Sequence, residues 1–175
     1  MVPMQKESEP KRKTRVTCGP SLSPYLKVEL ESLGFSCLSM DKTGVEILAS
    51  TTDAMQLNLQ LRTAFHVLQR FAEIRCHDAD AMYRESTRLP WERVIDPNGY
   101  LSVVSTVRND TITNSMFPNM RLKDAICDRM MKEVGRRPDS GSMLEGMVVN
   151  LYWVDDEATV YLNMSGRKLS DRGYR

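Results

Sequence analysis

The stretch that decides the first half of the fold is Phe65-His-Val-Leu-Gln-Arg-Phe-Ala-Glu-Ile-Arg-Cys76, which predicts a strand. A helix precedes it, capped by Thr51 or Thr52 and reaching to about Ala64. Before that helix, the apolar run Val45–Ala49 predicts another strand. The quoted stretch is therefore the last element of a longer pattern.

Three further elements complete the pattern toward the N-terminus. Phe35–Met40 predicts a strand, and a helix begins at Ser21 or Ser23 and ends at Gly34. Arg15–Gly19 predicts the first strand. The order strand, helix, strand, strand, helix, strand is the split βαβ, or ferredoxin-like, arrangement. We expect an α+β fold whose first unit closes with the quoted stretch.

A second unit of helices and strands comes after the first. Ala79–Arg88 and Met120–Val134 predict helices, and Tyr100–Arg108 predicts a strand. Met147–Val154 and Ala158–Met164 predict a hairpin closed by an acidic turn.

The pattern divides the chain into four parts. Residues 1–14 are expected to be a disordered basic tail, and 15–77 a ferredoxin-like domain. Residues 78–166 form a second, α/β domain, and 167–175 a basic linker poor in apolar side chains.

The composition is that of a globular protein, with 41% hydrophobic and 27% charged residues in 175. No apolar run approaches the ~20 residues that span a bilayer, and the N-terminus lacks the apolar core of a secretory signal. The four cysteines have no zinc-site spacing, which favours reduced thiols. We expect a cytoplasmic protein that binds no membrane.

The net charge of +1 hides segregated basic patches. Residues 6–15 hold five Lys/Arg against two acids, residues 121–137 six against three, and residues 167–175 four against one. Such patches can hold a polyanion on one face, although a charge run is more often a solvated surface.

No catalytic arrangement stands out in the sequence. There is no glycine-rich phosphate loop after a strand and no paired set of acids in a familiar spacing. His66 is interpreted as a strand-face residue and His77 as a loop residue. We therefore expect no catalytic residue, no metal and no cofactor site in this chain.

The most informative element is the predicted helix Met120–Val134. Lys123 projects near the middle of its apolar arc, in what the pattern predicts to be the first helical turn. Free backbone N–H groups at that turn, the hydroxyls and amides of the preceding loop, and a lysine together suit a phosphate group. The alternative is a lysine that lies along the helix surface and binds nothing.

Three other cations have similar alternatives. Arg62 lies near the end of the second helix, where it either serves as a favourable C-terminal cation or contacts RNA or the neighbouring unit. Arg136 and Arg137 come after a helix stop and face solvent, so they are either RNA contacts or plain surface charges.

Five segments of the chain carry a family resemblance: Asn58-Leu-Gln-Leu-Arg-Thr-Ala64, Leu89-Pro-Trp91, Arg121-Leu-Lys-Asp-Ala-Ile-Cys-Asp-Arg129, Gly135-Arg-Arg-Pro138 and Ser165-Gly-Arg-Lys-Leu-Ser-Asp-Arg-Gly-Tyr-Arg175. They resemble the N-terminal region of THUMP-containing, class I SAM-dependent RNA methyltransferases, and most closely the bacterial large-subunit ribosomal RNA guanine-N2 methyltransferases. The resemblance implies a ferredoxin-like domain followed by a THUMP domain that grips structured RNA.

The resemblance also implies which residues lie near the RNA and which domain the family carries next. It places Asn114, Ser115, Arg121 and Lys123 at the RNA surface. In the family, the next domain is a Rossmann-like methyltransferase domain with an Asn-Pro-Pro-type motif, which uses S-adenosylmethionine. We therefore expect a fragment that docks ribosomal RNA for such a domain.

Two alternatives remain open. The first is a THUMP module acting on transfer RNA, in a methyltransferase or a thiouridine synthase. The second is a free-standing interaction domain that binds no nucleic acid. An enzyme in its own right is the least favoured, because no catalytic arrangement supports it.

Overall fold

The computed structural model describes residues 9–110, 112, 114 and 116–173. Helices and strands are interspersed throughout these residues. The strands are β1 (Arg12–Cys18), β2 (Ser39–Asp41), β3 (Gly44–Ala49), β4 (Ala64–Arg75), β5 (Tyr100–Arg108), β6 (Asp139–Ser140), β7 (Met147–Val154) and β8 (Glu157–Asn163). The helices are α1 (Ser23–Ser32), α2 (Thr51–Gln60), α3 (Ala79–Ser86) and α4 (Met116–Val134), with short 3₁₀ helices at Trp91–Arg93 and Leu169–Arg172.

The strands of the described chain join in a single mixed sheet with the order β2-β3-β1-β4-β8-β7-β5-β6. The first unit has the predicted order of strands and helices, which confirms the ferredoxin-like assignment. The two predicted units share β4, because its first half pairs with β1 and its second half pairs with β8. The predicted strand Phe35–Met40 was too long, since only Ser39–Asp41 pairs with β3.

Both hydrophobic cores lie under the same face of this sheet. Val16 of β1 pairs with Val67 of β4, and Gln69, two residues further on the same face, pairs with Leu162 of β8. Val16 and Val67 belong to the first core and Leu162 to the second. The helices that fill these cores therefore pack on one face of the sheet.

The first core joins α1 and α2 to the sheet through Leu26, Leu30, Ala54 and Leu57, all inaccessible or nearly so. Ser50, rather than the predicted Thr51 or Thr52, caps α2. Its side chain accepts from the Asp53 N–H while the Asp53 carboxylate accepts from the Ser50 N–H. This reciprocal pair satisfies two backbone donors that the helix leaves free.

The second core is built around two buried indoles. Trp91 lies 4.7 Å from Phe71 between ring centroids, and its Nε1 donates a 2.8 Å hydrogen bond to the Ser86 carbonyl. Trp153 of β7 is also fully buried. The buried residues of α4 that pack here are Leu122, Ile126, Cys127 and Met130. Three other apolar residues of the predicted helix Met120–Val134 are exposed instead, namely Met120, Met131 and Val134.

The predicted N-terminal tail and the predicted C-terminal linker each contain residues that belong to the folded structure. β1 begins at Arg12, because Arg12 pairs with Ala49 of β3, so the last residues of the predicted tail are part of the sheet. The predicted linker contains Leu169, which is 2% exposed within the first core. Ser165 holds this segment in place: its hydroxyl donates to Asn58 Oδ1 at 2.6 Å and accepts from the Val67 N–H at 2.7 Å.

Candidate nucleic-acid interface

Helix α4 begins at Met116, earlier than the predicted Met120. Asn114 Oδ1 accepts a 2.9 Å hydrogen bond from the Met116 N–H two residues on, as in an Asx turn, so the first backbone donor of the helix has a partner. Pro118 fits the first turn because the N–H it lacks would have no partner there. Lys123 consequently lies roughly two turns inside the helix. The prediction that it sits among free N–H groups is wrong.

Lys123 is half-buried beside the apolar face of α4. It follows the buried Leu122 and lies one turn before Cys127, whose pKa is raised by burial and lowered less by the nearby charges of Arg137 and Lys123. Within the described ranges, no acid forms an ion pair with Lys123. Its ammonium is therefore a positive charge that the fold itself does not neutralise.

Exposed apolar side chains lie on the first two turns of α4, next to Lys123. Met116 and Met120 are 64% and 54% exposed, and they share a face with Lys123 because residues four and three apart on a helix are neighbours. Phe117 is also exposed. Met116, Phe117 and Met120 therefore lie outside the core and are open to a partner.

Arg121 is held by helix α3. Its Nη2 donates a 2.5 Å hydrogen bond to Asp80 Oδ1, and its guanidinium lies 4.4 Å from the centroid of the Tyr83 ring. The ion pair and the ring contact together fix its direction. An RNA phosphate would therefore compete with Asp80 for this side chain.

Arg137, which lies just after the end of α4, is also held by an acid. Its Nη2 donates to Asp128 Oδ1 at 2.5 Å, and Asp128 Oδ2 accepts a 2.6 Å hydrogen bond from the Tyr83 hydroxyl. That hydrogen bond is the main reason why the pKa of Tyr83 is raised. Arg136, next in the chain, is exposed and pairs with no acid among the residues that the structure describes.

The remaining predicted contacts lie in different places. Arg62 is exposed just beyond the end of α2, in the first unit, and its backbone N–H donates to Glu29 Oε1 at 2.7 Å. Asn114 is exposed and accepts the hydrogen bond from the first backbone N–H of α4. Ser115 lies outside the described residues. The structure thus gathers Arg121, Lys123 and the two arginines after α4 in the second unit, and leaves Arg62 in the first.

Sequence reasoning missed the side chains that hold these arginines in place. Asp80, Tyr83 and Asp128 bind the arginines of the surface. Asp80 and Arg121 are far apart in sequence, so only the packing of α3 on α4 brings them together. No local pattern could have indicated that two of the predicted cations are already paired.

The histidines are placed in dissimilar surroundings. Burial, and then the charge of Lys168, lowers the pKa of His66, so its ring is neutral at neutral pH. His77 is exposed and its Nδ1 lies 2.7 Å from Asp156 Oδ1, which raises its pKa.

No cluster of three metal-binding side chains occurs in the portion of the chain that is described. Among the described helices, none combines the length and the hydrophobicity that a membrane-spanning segment requires.

Comparison with known families and structures agrees with this architecture. A family model described as THUMP domain matches residues 76–163, and one described as RlmL ferredoxin-like domain matches residues 14–68. A ribosomal RNA large subunit methyltransferase K/L from Syntrophotalea carbinolica is 33% identical over 159 residues, which are 91% of this chain and 22% of that protein. The chain therefore spans about a fifth of the length of the curated relatives it matches.

Two solved structures show the same fold. A protein from Listeria monocytogenes, described as a predicted N6-adenine-specific DNA methylase, has a TM-score of 0.81 at 21% identity and covers 94% of this chain and 43% of its own. A 4-thiouridine synthetase in complex with RNA has a TM-score of 0.51 at 9% identity and covers 86% of this chain and 41% of its own. The expected fold class and resemblance are confirmed. The chain belongs to the THUMP family and carries an RlmL-type ferredoxin-like domain ahead of its THUMP domain.

Proposed function

We propose that this chain binds structured RNA on the surface of α4, with Lys123 as its main phosphate contact. One observation carries the proposal: Lys123 is unpaired within the described residues, whereas its neighbours Arg121 and Arg137 are each paired with an acid. An unpaired cation beside exposed apolar side chains can gain a phosphate partner without breaking an internal ion pair. Arg136 supplies a second such charge nearby.

The other predicted residues have secondary roles in this proposal. Arg121 and Arg137 contribute less, because a phosphate has to compete with Asp80 and Asp128 for them. Asn114, just before α4, and Ser115, the next residue in the sequence, add polar contacts in this proposal, and Arg62 extends the contact to the first unit. The charge at Lys123 contributes most, because a phosphate replaces no existing partner there.

Ribosomal RNA is the first candidate for the RNA that this surface binds. The curated relative named above is a ribosomal RNA methyltransferase, and we infer that this chain presents a guanine of ribosomal RNA to a methyltransferase domain that uses S-adenosylmethionine in the cytoplasm. Transfer RNA is the second candidate, as the resemblance to THUMP modules of methyltransferases and thiouridine synthases implies; the 4-thiouridine synthetase of similar fold is in complex with RNA. A binding comparison between a ribosomal hairpin and a transfer RNA separates the two.

A charge reversal at Lys123 tests the binding surface. We expect Lys123→Glu to weaken binding to an RNA hairpin and to lower the slope of log K against log salt by about one. Lys27→Glu on α1 is the matched control: it makes the same charge change on a helix of the first unit, where Lys27 pairs with Glu31 at 3.7 Å. An unchanged affinity in Lys123→Glu, with thermal unfolding like that of the parent, would refute the site.

A protein-interaction module remains the second candidate function. The exposed Met116, Phe117 and Met120 favour it, because neighbouring exposed apolar side chains often mark a protein contact. A flat titration of the chain against several structured RNAs at low salt would support this candidate and contradict RNA binding.

A further inference from the structure

One whole face of the sheet carries no helix in the described chain. Cross-strand neighbours identify this open face: Arg15 of β1 pairs with Leu68 of β4, and Asn150 of β7 pairs with both Tyr161 of β8 and Val104 of β5. These residues alternate with those of the two cores, which lie on the helical face. The open face therefore runs across both units.

The open face is concave. Adjacent strands in a sheet are rotated by roughly 20–25° relative to one another, so a sheet this wide curls at opposite corners. The resulting concavity has a volume of about 630 Å³. Lys42, in the turn between β2 and β3, lines one end of it, and Arg108, at the end of β5, lines the other.

The lining of this concavity carries more positive than negative charge, and the nearby acids of the same face, Glu46 and Glu73, are both paired with Arg70. The lining contains three cations, Arg15, Lys42 and Arg108, and one acid, Asp41. Arg15 donates to both carboxylate oxygens of Asp41, at 2.9 and 2.7 Å. Lys42 and Arg108 are exposed, and neither forms an ion pair with any residue that the structure describes. The two ends of the concavity thus keep unneutralised positive charge.

Between these cations the lining of the concavity consists of aromatic, apolar and uncharged polar side chains. Tyr152 is 44% exposed and lies beside Thr106 and Thr159, its cross-strand neighbours. Tyr161 is largely covered, and burial raises its pKa. The lowered pKa of His66 keeps that side chain neutral too. An exposed ring with hydroxyls around it suits a nucleobase that is not paired to another base.

We propose that the open face of the sheet binds an unpaired stretch of RNA, with a base stacked on Tyr152 and phosphates near Lys42 and Arg108. This inference rests on the proposed RNA-binding function but concerns a different surface from α4. A duplex would present its backbone to a concave floor and leave Tyr152 without a base. An unpaired strand can follow the concavity and turn its bases inward, which a positive groove with an aromatic platform favours.

The experiment compares two RNAs with the same stem, one closed by a short loop and one by an unpaired loop of about ten nucleotides, within the usual range of single-strand sites. The 175-residue chain should bind the long-loop RNA more tightly. Tyr152→Ala should remove that advantage, weakening long-loop binding about tenfold, while Tyr152→Phe retains it. Lys42→Glu combined with Arg108→Glu should act like Tyr152→Ala, and Lys27→Glu should have no effect.

The outcomes separate this inference from the proposed function. Equal affinity for the two RNAs, with loss of binding in Lys123→Glu, would overturn the open-face site and leave the α4 surface standing. A loop advantage that depends on Tyr152 but not on Lys123 would support the open face and refute the α4 site. A dimer that dissociates on Tyr152→Ala would show that a second copy covers this face, and would overturn the inference. Absence of binding to either RNA would overturn both proposals.

Discussion

The hydroxyl of Tyr83 on α3 donates a 2.6 Å hydrogen bond to Asp128 on α4. The same ring lies 4.4 Å below the guanidinium of Arg121, and the same carboxylate accepts from Arg137. One aromatic side chain therefore joins the two helices and orients two of the cations at the candidate interface. The rigidity of this surface depends on that contact.

Tyr83→Phe removes the hydroxyl and keeps the ring. We expect a loss of about 1 kcal/mol in the free energy of unfolding, because a hydrogen bond to a carboxylate is lost while the ring contact with Arg121 remains. Urea denaturation measures this change. Tyr25→Phe on α1 is the control, since Tyr25 is 68% exposed. Equal stability of the two variants would mean that the Tyr83–Asp128 hydrogen bond contributes nothing to the fold.

Leu169 tests whether the segment after β8 belongs to the fold. Because this side chain is 2% exposed within the first core, Leu169→Ala should cost about 2–4 kcal/mol in unfolding free energy. Leu59→Ala, on the 76% exposed Leu59, should cost far less. If the two variants unfold at the same urea concentration, the segment is a loose linker, as its basic composition predicted.

The element order could be predicted from the sequence because it depends on local periodicity. The hairpin β7–β8 and the strand β5 lie within a residue or so of their predicted ranges. Leu169 escaped prediction because a single leucine among basic residues has no periodic partner. Its burial depends on Asn58 and Ser165, which are distant from each other in sequence and meet only in the folded chain.

The candidate site was less predictable than the fold. The sequence placed Lys123 beside apolar residues, and it is half-buried there. Its position relative to the helix start, however, depended on Asn114 and Pro118, which precede the predicted helix. The pairing of Arg121 with Asp80 depends on how α3 packs on α4. Tertiary contacts, which no local spacing encodes, therefore decide which cations are free.

Cys76 should make the fold sensitive to alkaline pH. Burial, and then the charges of Asp78, Asp156 and Glu85, raises the pKa of Cys76 to about 12, whereas an unfolded thiol has a pKa of ~8.5. The unfolded chain releases this proton first, so the stabilising contribution is complete below ~8.5 and is lost as the pH rises toward 12. At pH ~9.5 the loss from this thiol is ~1.4 kcal/mol.

Urea midpoints at neutral pH and at pH ~9.5 measure this effect. Cys76→Ala should be less stable than the parent at both values but should lose less between them. Cys37→Ala, at a half-buried position near the surface, should keep the parent's pH dependence. A Cys76→Ala variant with the same pH dependence as the parent would show that this thiol does not control the alkaline loss.

Asp80→Asn tests the link between internal ion pairing and RNA binding. Asp80 holds Arg121 by a hydrogen bond of 2.5 Å, and a neutral amide keeps the shape of the side chain while removing its charge. Arg121 would then be free to bind a phosphate, and one negative charge would leave the surface. We expect RNA affinity at low salt to rise about three- to tenfold and the salt slope to steepen by up to about one.

Glu85→Gln on the same helix is the matched control, because Glu85 pairs with Arg88 of its own segment at 2.8 Å and not with α4. It removes the same charge from α3 without releasing Arg121, so any shared gain in affinity measures the general charge effect alone. The additional gain in Asp80→Asn then measures Arg121. If both variants bind RNA equally, Arg121 contacts no phosphate, and it serves only to fasten α4 to α3.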